Sequence, residues 1–255
     1  MQAPQISWKR IFVEGSAIVA SILLAFAIDA AWDDVQQRDD DLSQLRSLYD
    51  ELLTHQALLA EGMQAHDNTV QRGVKLMNVL SAEPDQERAD ETTMLIQGVI
   101  GFYGINAPFG ALNTAITSGA IARMQDKELG SALASWPTSI DDLIEEQVLG
   151  GNVRTDLFMR LGDLVPLLDM YKIRLTRPTV RGVEFAVESL GIDASELPDS
   201  PVLDYSPIHN DFAIINHLSY LIVLAQAAHA ESLIANEKLD QLIESLGACL
   251  EAEIC

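Results

Sequence analysis

An apolar run near the start of the chain limits what the whole sequence can fold into. Residues 11–28 carry a single charge, Glu14, and the run extends to Trp32 with one further carboxylate, Asp29. Its length matches the roughly 20 residues that a helix needs to cross about 30 Å of hydrocarbon. Trp8 and Trp32 flank it, and indole rings favour the headgroup zone. The run therefore predicts a transmembrane helix over residues 11–32.

Two other structures are compatible with the same run. A cleaved export signal has a basic start, an apolar middle and a small-residue motif, and the segment Ala25–Ala27 fits that motif. Against cleavage, Glu14 interrupts the junction between the basic and apolar parts, and the helical pattern continues beyond residue 27. The third interpretation is a buried helix of a soluble protein. We favour the retained anchor.

Basic residues predict the orientation of this anchor. Lys9 and Arg10 precede it, whereas only Arg38 follows it closely, so the positive-inside rule predicts a short cytoplasmic tail over residues 1–10. Residues 33–255 then form a domain on the outer side. In a bacterium this corresponds to a single-pass protein of the inner membrane with a periplasmic C-terminal domain.

The charge of the chain excludes one class of partner. The formal net charge is −22, and almost all of the excess acid follows the apolar run. Such a surface repels the phosphate backbone, so the sequence predicts no binding to nucleic acid. Hydrophobic residues make up 48% of the chain, which argues for a packed core in spite of the charge.

A heptad pattern follows the apolar run. Leucine and other residues recur at alternating spacings of three and four, which is typical of a coiled-coil seam, and a single helix is predicted from about Ser7 to Ala65. We expect the seam within residues 33–65 to pack against helices of the same chain, with pairing to a second copy as the alternative. The seam consists of Leu42, Leu45, Tyr49, Leu52, Gln56, Leu59 and Met63.

Beyond this stalk the chain is predicted to form helices separated by short breakers. One helix is expected over residues 91–103, another from Phe109 to Gly119, and a third with Asp126 as its N-cap. Pro137 is expected to break or kink this third helix, and the pair Gly150-Gly151 to interrupt the helices that follow. Val183, Phe185 and Val187 alternate in a short element that is either a strand or a helix.

The last predicted helix spans about residues 210–253 and contains an uncharged run over residues 212–228. We interpret this run as a buried core helix, with a second membrane crossing as the alternative. The fold class predicted for the whole chain is all-α: a transmembrane helix that continues into a long helix, packed with an extracytoplasmic helical bundle.

The start of the chain resembles a bacterial family of single-pass membrane proteins. The similarity lies in the pattern E-G-x-x-I-V-x-x-x-L-L-A-x-A-x-D-x-x-W at residues 14–32, and the segment 48–53, LYDELL, is similar to a motif that follows the span. The central segment 111–136 is also similar to the family pattern. The resemblance implies an anchored helical extracytoplasmic domain, without an activity that can be carried over to this chain.

Catalytic and metal-binding motifs are absent from the sequence. The five histidines form no HExxH motif, and there is no GxSxG, P-loop or dinucleotide glycine signature. We therefore predict no enzymatic activity, no cofactor and no metal. Cys249 and Cys255 would lie about 9 Å apart on one helix, too far for a bridge unless the tail frays, and a disulfide from Cys255 to another molecule is an alternative.

The boundary residues Glu14, Asp29 and Trp32 are the candidate contacts with a partner inside the membrane. The alternative is that both carboxylates simply reach water. We predict a membrane-anchored interaction or scaffold protein of the cell envelope, whose partners are the lipid bilayer, an envelope protein and, as an option, a second copy of the chain. The alternatives are a periplasmic ligand-sensing domain and an accessory subunit of a membrane complex that uses Glu14.

Overall fold

The computed structural model describes residues 8–101, 103–168, 204–252 and 255, with the side chains of Glu14 and of residues from Ser16 onward. Within these residues the secondary structure is helical without strands, which confirms the all-α prediction. The element predicted around Val183 lies outside the described residues. The helices are α1 (Trp8–Leu80), α2 (Ala89–Ile100), α3 (Gly110–Thr117), α4 (Ala120–Arg123), α5 (Lys127–Gly162) and α6 (Phe212–Glu251), with short 3₁₀ turns at Gln86–Arg88 and Ser206–Ile208.

Helix α1 is one continuous helix of 73 residues. The predicted continuity of the apolar run with the heptad stretch is therefore confirmed, and the helix continues past Ala65 to Leu80. Gly73 does not end it, because it lies at a helix crossing: a Cβ there would stand 2.7 Å from Cγ1 of Ile222. Glycine at this position allows the backbone of α1 to approach α6 closely.

The chain divides into two compact units that share the long helices. The first contains the α1 segment up to Glu51 together with Phe109–Ala134 and Leu242–Cys255, and the second contains Leu52–Pro108 and Ser135–Gln241.

In the first unit, Glu51, Gly119 and Asp126 define the ends of helices. The Glu51 carboxylate accepts hydrogen bonds from the backbone N–H groups of Ala111 and Leu112 at 2.8 and 3.0 Å, at the start of α3. Gly119 has a φ of 83°, which confirms the predicted helix end there. Asp126 accepts from the N–H groups of residues 128 and 129, which confirms it as the N-cap of α5.

In the second unit, α1 and α6 run antiparallel. The Gln56 amide donates to the Asp240 carboxylate at 2.5 Å, and His229 lies 3.1 Å from the carbonyl oxygen of Met63. Helices α2 and α5 complete the unit. The core between the four helices consists of aliphatic side chains, among them Leu80, Ile96, Val99, Leu157, Leu161, Ile208, Ile214 and Leu218.

The buried seam of α1 differs in register from the predicted one. Leu45, Leu52 and Leu59 are buried as expected, and their heptad position continues at His66, Gly73 and Leu80. The second buried position is not the predicted Tyr49, Gln56 and Met63, which are half-buried. The residues at this position are Leu48, His55, Gly62, Thr69 and Leu76. Three of these five are not large apolar residues, so a search for apolar spacing does not find the position.

Helix α5 is not broken where the sequence predicted. It runs through Pro137 and through Gly150-Gly151 to Gly162, so a break at Pro137 and an interruption at the glycine pair were both wrong expectations, while a kink at Pro137 stays a prediction. Trp136 and Ile140, on both sides of the proline, are fully buried, and this packing holds the turn in place. Proline removes one backbone hydrogen bond from a helix, a loss that such burial offsets.

Helix α6 has two faces. One carries a buried heptad seam, so the prediction of a core helix for the uncharged run is correct for this face. The other face is exposed, so that 44% of the most apolar 18-residue stretch of α6 is buried. The seam residues within the second unit are Ile214, Leu218, Leu221, Ala225, Ala228, Ser232, Ala235 and Leu239.

Candidate functional site

The apolar segment of α1 is exposed on all sides. Every side chain from Ser16 to Asp40 is exposed. Within the described residues two helices are long and apolar enough to span a membrane, the α1 helix from Ser16 and α6, and none of the α1 window is buried. A helix that is apolar all round requires an apolar environment. Its exposed large side chains are Ile18, Val19, Ile22, Leu23, Leu24, Phe26, Ile28 and Trp32.

The three predicted partner contacts lie on this helix. Glu14 and Asp29 are both exposed and stand fifteen residues apart, about 22 Å along the axis, so the structure does not bring them together. Trp32 follows Asp29 by three residues and therefore lies on the same side of α1. With 70% of its surface exposed, Trp32 is available to a headgroup layer or to a partner.

The second unit contains a buried histidine that sequence reasoning did not single out. Nε1 of Trp136 donates a hydrogen bond to Nδ1 of His55 at 2.9 Å, and Nε2 of His55 lies 2.5 Å from the carbonyl oxygen of Pro108. Since Nδ1 accepts, the proton of the neutral ring is on Nε2, which donates to Pro108. His55 thereby links α1, α5 and the non-helical segment that contains Pro108.

A second buried group of basic side chains also involves α1 and α5. His66 and Arg154 are 5% and 8% exposed, and Nε of Arg154 donates to the carbonyl oxygen of Val99 at 3.4 Å. Burial, together with the neighbouring charges of Arg154 and His229, lowers the pKa of His66 to about 4. Burial also lowers the pKa of Arg154. The neutral form of His66 is therefore the one that fits this core.

Gly150 provides space for this buried arginine. A Cβ at Gly150 would stand 3.2 Å from Nη1 of Arg154. The glycine pair that was predicted to interrupt the helices thus lies inside α5, and Gly150 makes room for a side chain one turn further on.

The second unit also has a small polar pocket of about 130 Å³. Three of its ionisable side chains have partners within the protein: Arg88 pairs with Glu91 at 2.8 Å, Asp204 accepts from the N–H group of Ser206, and His209 contacts the carbonyl oxygen of Ala82. In the described part of the chain, no group of three or more histidine, cysteine, aspartate or glutamate side chains is placed to hold a metal ion.

The two cysteines form a disulfide within the chain. The Cα atoms of Cys249 and Cys255 are 5.1 Å apart, so the expected separation of about 9 Å was wrong. The reason is that α6 ends at Glu251 and Cys255 is no longer on the helix. The backbone oxygen of Cys255 also accepts a hydrogen bond from the N–H group of Gln125 at 2.8 Å.

No protein family, curated protein or solved structure matches the chain. The resemblance to the bacterial single-pass family therefore rests on the quoted sequence patterns and stays a prediction.

Proposed function

We propose that this protein is a membrane-anchored interaction or scaffold protein of the bacterial cell envelope. Residues 11–32 span the inner membrane, residues 1–10 are cytoplasmic, and residues 33–255 form a periplasmic helical domain. The observation that carries the proposal is the apolar segment of α1, which no other described part of the chain covers. Transfer from water to lipid contributes about 1.5–3 kcal/mol for each large apolar side chain.

The disulfide supports the proposed compartment. Cys249 and Cys255 are bonded to each other, and structural disulfides persist in the periplasm but are rare in the cytoplasm. The weak excess of basic residues before the span supports the same orientation, because Lys9 and Arg10 precede it.

An interaction role is supported by the arrangement of the anchor and the packed helices along the chain rather than by any reactive group. The anchor continues without a break into packed helices, which holds a folded domain at a fixed point on the membrane. In addition, α6 presents an exposed, uncharged face to solvent. Exposed apolar faces of this kind are typical of protein–protein contact sites.

Membrane extraction of a charged variant tests the anchor. Leu23→Arg with Leu24→Arg places two charges in the proposed span, each costing about 2.5–3.5 kcal/mol on insertion. We expect the double variant to move from the membrane pellet to the soluble fraction after alkaline extraction. The matched control is Met94→Arg with Val148→Arg, two exposed apolar positions outside the anchor, and it should stay in the pellet.

Reporter fusions test the orientation. A periplasm-dependent phosphatase fused after Cys255 should be active, and a fluorescent protein that folds only in the cytoplasm should be dark at the same site. The reverse pattern would refute the proposed topology while leaving the anchor itself intact.

The alternative role of Glu14 has its own test. If the chain is an accessory subunit that uses this carboxylate, Glu14→Gln should abolish cross-linking to its partner in intact membranes. Asp29→Asn, which removes the other boundary carboxylate, serves as the matched control. Equal cross-linking in both variants would leave the scaffold proposal as the better account.

A further inference from the structure

The outer face of α6 carries a second heptad stripe. Asn216, Tyr220, Val223, Ala227, Ala230 and Ile234 follow each other at spacings of four and three, and all six are exposed. Tyr220, Val223 and Ile234 retain 52%, 57% and 70% of their surface. The stripe lies opposite the buried seam of the same helix.

This stripe lies in a long uncharged part of a strongly acidic chain. Charged residues make up 21% of the sequence, yet no formal charge occurs between Asp211 and Glu231. Five turns of exposed helix without a charge form the kind of surface that marks a contact site. The alternating spacing is that of a seam that accepts another helix, because residues three and four apart lie on one side of a helix.

Carboxylates border the stripe on the side of α5. The two helices run side by side here, as Lys238 of α6 donates to the Ser139 hydroxyl of α5 at 2.8 Å. Burial and the negative charges of Glu146 and Asp142 raise the pKa of Glu231, so these three acids lie near one another. One carboxylate oxygen of Glu146 is buried without a hydrogen-bond partner in the described structure. Lys238 is a cation at this border, and the three carboxylates outnumber it, so the rim has a net negative charge.

The charge of the chain argues against two occupants of the stripe. A second copy would bring its own acidic rim against this one, which like-charge repulsion disfavours. An anionic bilayer surface is repelled by the net charge of −22 in the same way. A helix with an apolar seam and flanking lysine or arginine side chains satisfies both the stripe and its rim.

We propose that the exposed stripe of α6, from Asn216 to Ile234, is the docking site for a basic amphipathic helix of a partner protein. The proposal rests on the interaction role described above and names the chemistry of the partner. The apolar seam of that helix packs on Tyr220, Val223 and Ile234, and its cationic side chains reach the acidic rim.

Photo-cross-linking with a designed peptide tests the proposal. The full chain is inserted in nanodiscs of zwitterionic lipid and exposed to an 18-residue helix of leucine and lysine that carries a benzophenone group. A peptide with the same leucine positions and glutamate in place of lysine is the matched probe. We expect the lysine peptide to cross-link to residues 216–234 and the glutamate peptide to give only background.

Two substitutions locate the site on the protein. Ile234→Lys introduces a charge into the stripe and should reduce the yield of the lysine peptide by about tenfold, which corresponds to about 1.4 kcal/mol. Met94→Lys makes a comparable apolar-to-lysine change at an exposed position on α2 and should leave the yield unchanged. Both positions are exposed, so far-ultraviolet circular dichroism should show the same helix content for both variants.

Three results would overturn the proposal. They are equal loss of cross-linking in both variants, equal yields for the two peptides, and a dimer in sedimentation that Ile234→Lys dissociates. The last would assign the stripe to a second copy of the chain. None of them bears on the anchor, which is tested by extraction, so failure of this site and failure of the proposed function are distinguishable.

Discussion

His55 shows how a single buried polar residue organises this protein. It is 1% exposed and has hydrogen-bond partners at both ring nitrogens, one on α5 and one on the segment before α3. A buried group that loses its partner costs about 1–3 kcal/mol. The position therefore contributes stability through its hydrogen bonds as well as through packing.

Trp136→Phe should lower the free energy of unfolding by at least about 1–3 kcal/mol, because it leaves Nδ1 of His55 without its donor. Chemical denaturation followed by circular dichroism measures this. Trp32→Phe, an exposed tryptophan in the anchor, is the control and should change the value by less than about 0.5 kcal/mol. Equal stability of the two variants would show that the hydrogen bond contributes nothing.

His66 predicts a dependence of stability on pH. Its pKa is about 4 in the folded chain and 6.5 ordinarily, so the unfolded chain binds the proton more readily. The titration of His66 therefore leaves the free energy of unfolding unchanged above about pH 6.5, lowers it as the pH falls from 6.5 to 4, and changes it little below 4. The loss amounts to roughly 3 kcal/mol. The charged and titratable groups that face it are Arg154 and His229.

Denaturation of the wild type and of His66→Gln between pH 7 and pH 4 checks this prediction. The variant should lose less stability over that range than the wild type. His217→Gln, in which the replaced ring bonds only its own helix at Ala213, is the control and should follow the wild type. A variant that declines as steeply as the wild type would contradict the role of His66.

At the level of the helices, the close approach of neighbouring segments explains the burial of residues that apolar spacing alone did not predict. The 3-4 spacing predicted the existence and continuity of α1, and it located Leu45, Leu52 and Leu59 correctly. It could not find the second buried position, because histidine, glycine and threonine occupy much of it. Their burial depends on distant partners, such as Trp136 for His55 and Tyr103 for Gly62, which a single segment of sequence does not reveal. Pro137 failed as a helix breaker for the same reason.

Gly73→Ala tests the crossing of α1 and α6. Alanine favours a helix by about 1 kcal/mol over glycine, but its Cβ would collide with Ile222, and overpacking costs about 1–3 kcal/mol. We expect net destabilisation, measured as a lower melting temperature. Val74→Ala, at the adjacent exposed position, should leave the melting temperature nearly unchanged. A more stable Gly73→Ala protein would show that the helices separate freely here.

For the whole molecule, the all-α class and the long N-terminal helix followed from the sequence, because both depend on patterns within single segments. The division of α1, α5 and α6 between two units did not, since it depends on contacts between distant segments. The disulfide was foreseen only for a frayed tail, because the estimate of about 9 Å assumed that Cys255 lies on the helix, and α6 ends before it, at Glu251.

The disulfide gives a prediction about the folded chain in the cell. Alkylation of intact cells with a polyethylene-glycol maleimide should leave the protein unmodified, and prior reduction should add two labels. Non-reducing electrophoresis should show a monomer, because the bond joins Cys249 and Cys255 of one chain. A disulfide-linked dimer, or two labels without reduction, would contradict the intramolecular bond.

The measurement that tests the central claim most directly is the intact mass of the mature protein, purified from alkali-washed membranes. The account predicts a chain that still contains residues 11–28 and that remains in the membrane pellet. A mature chain that begins near Ile28, or one recovered in the aqueous fraction, would contradict it.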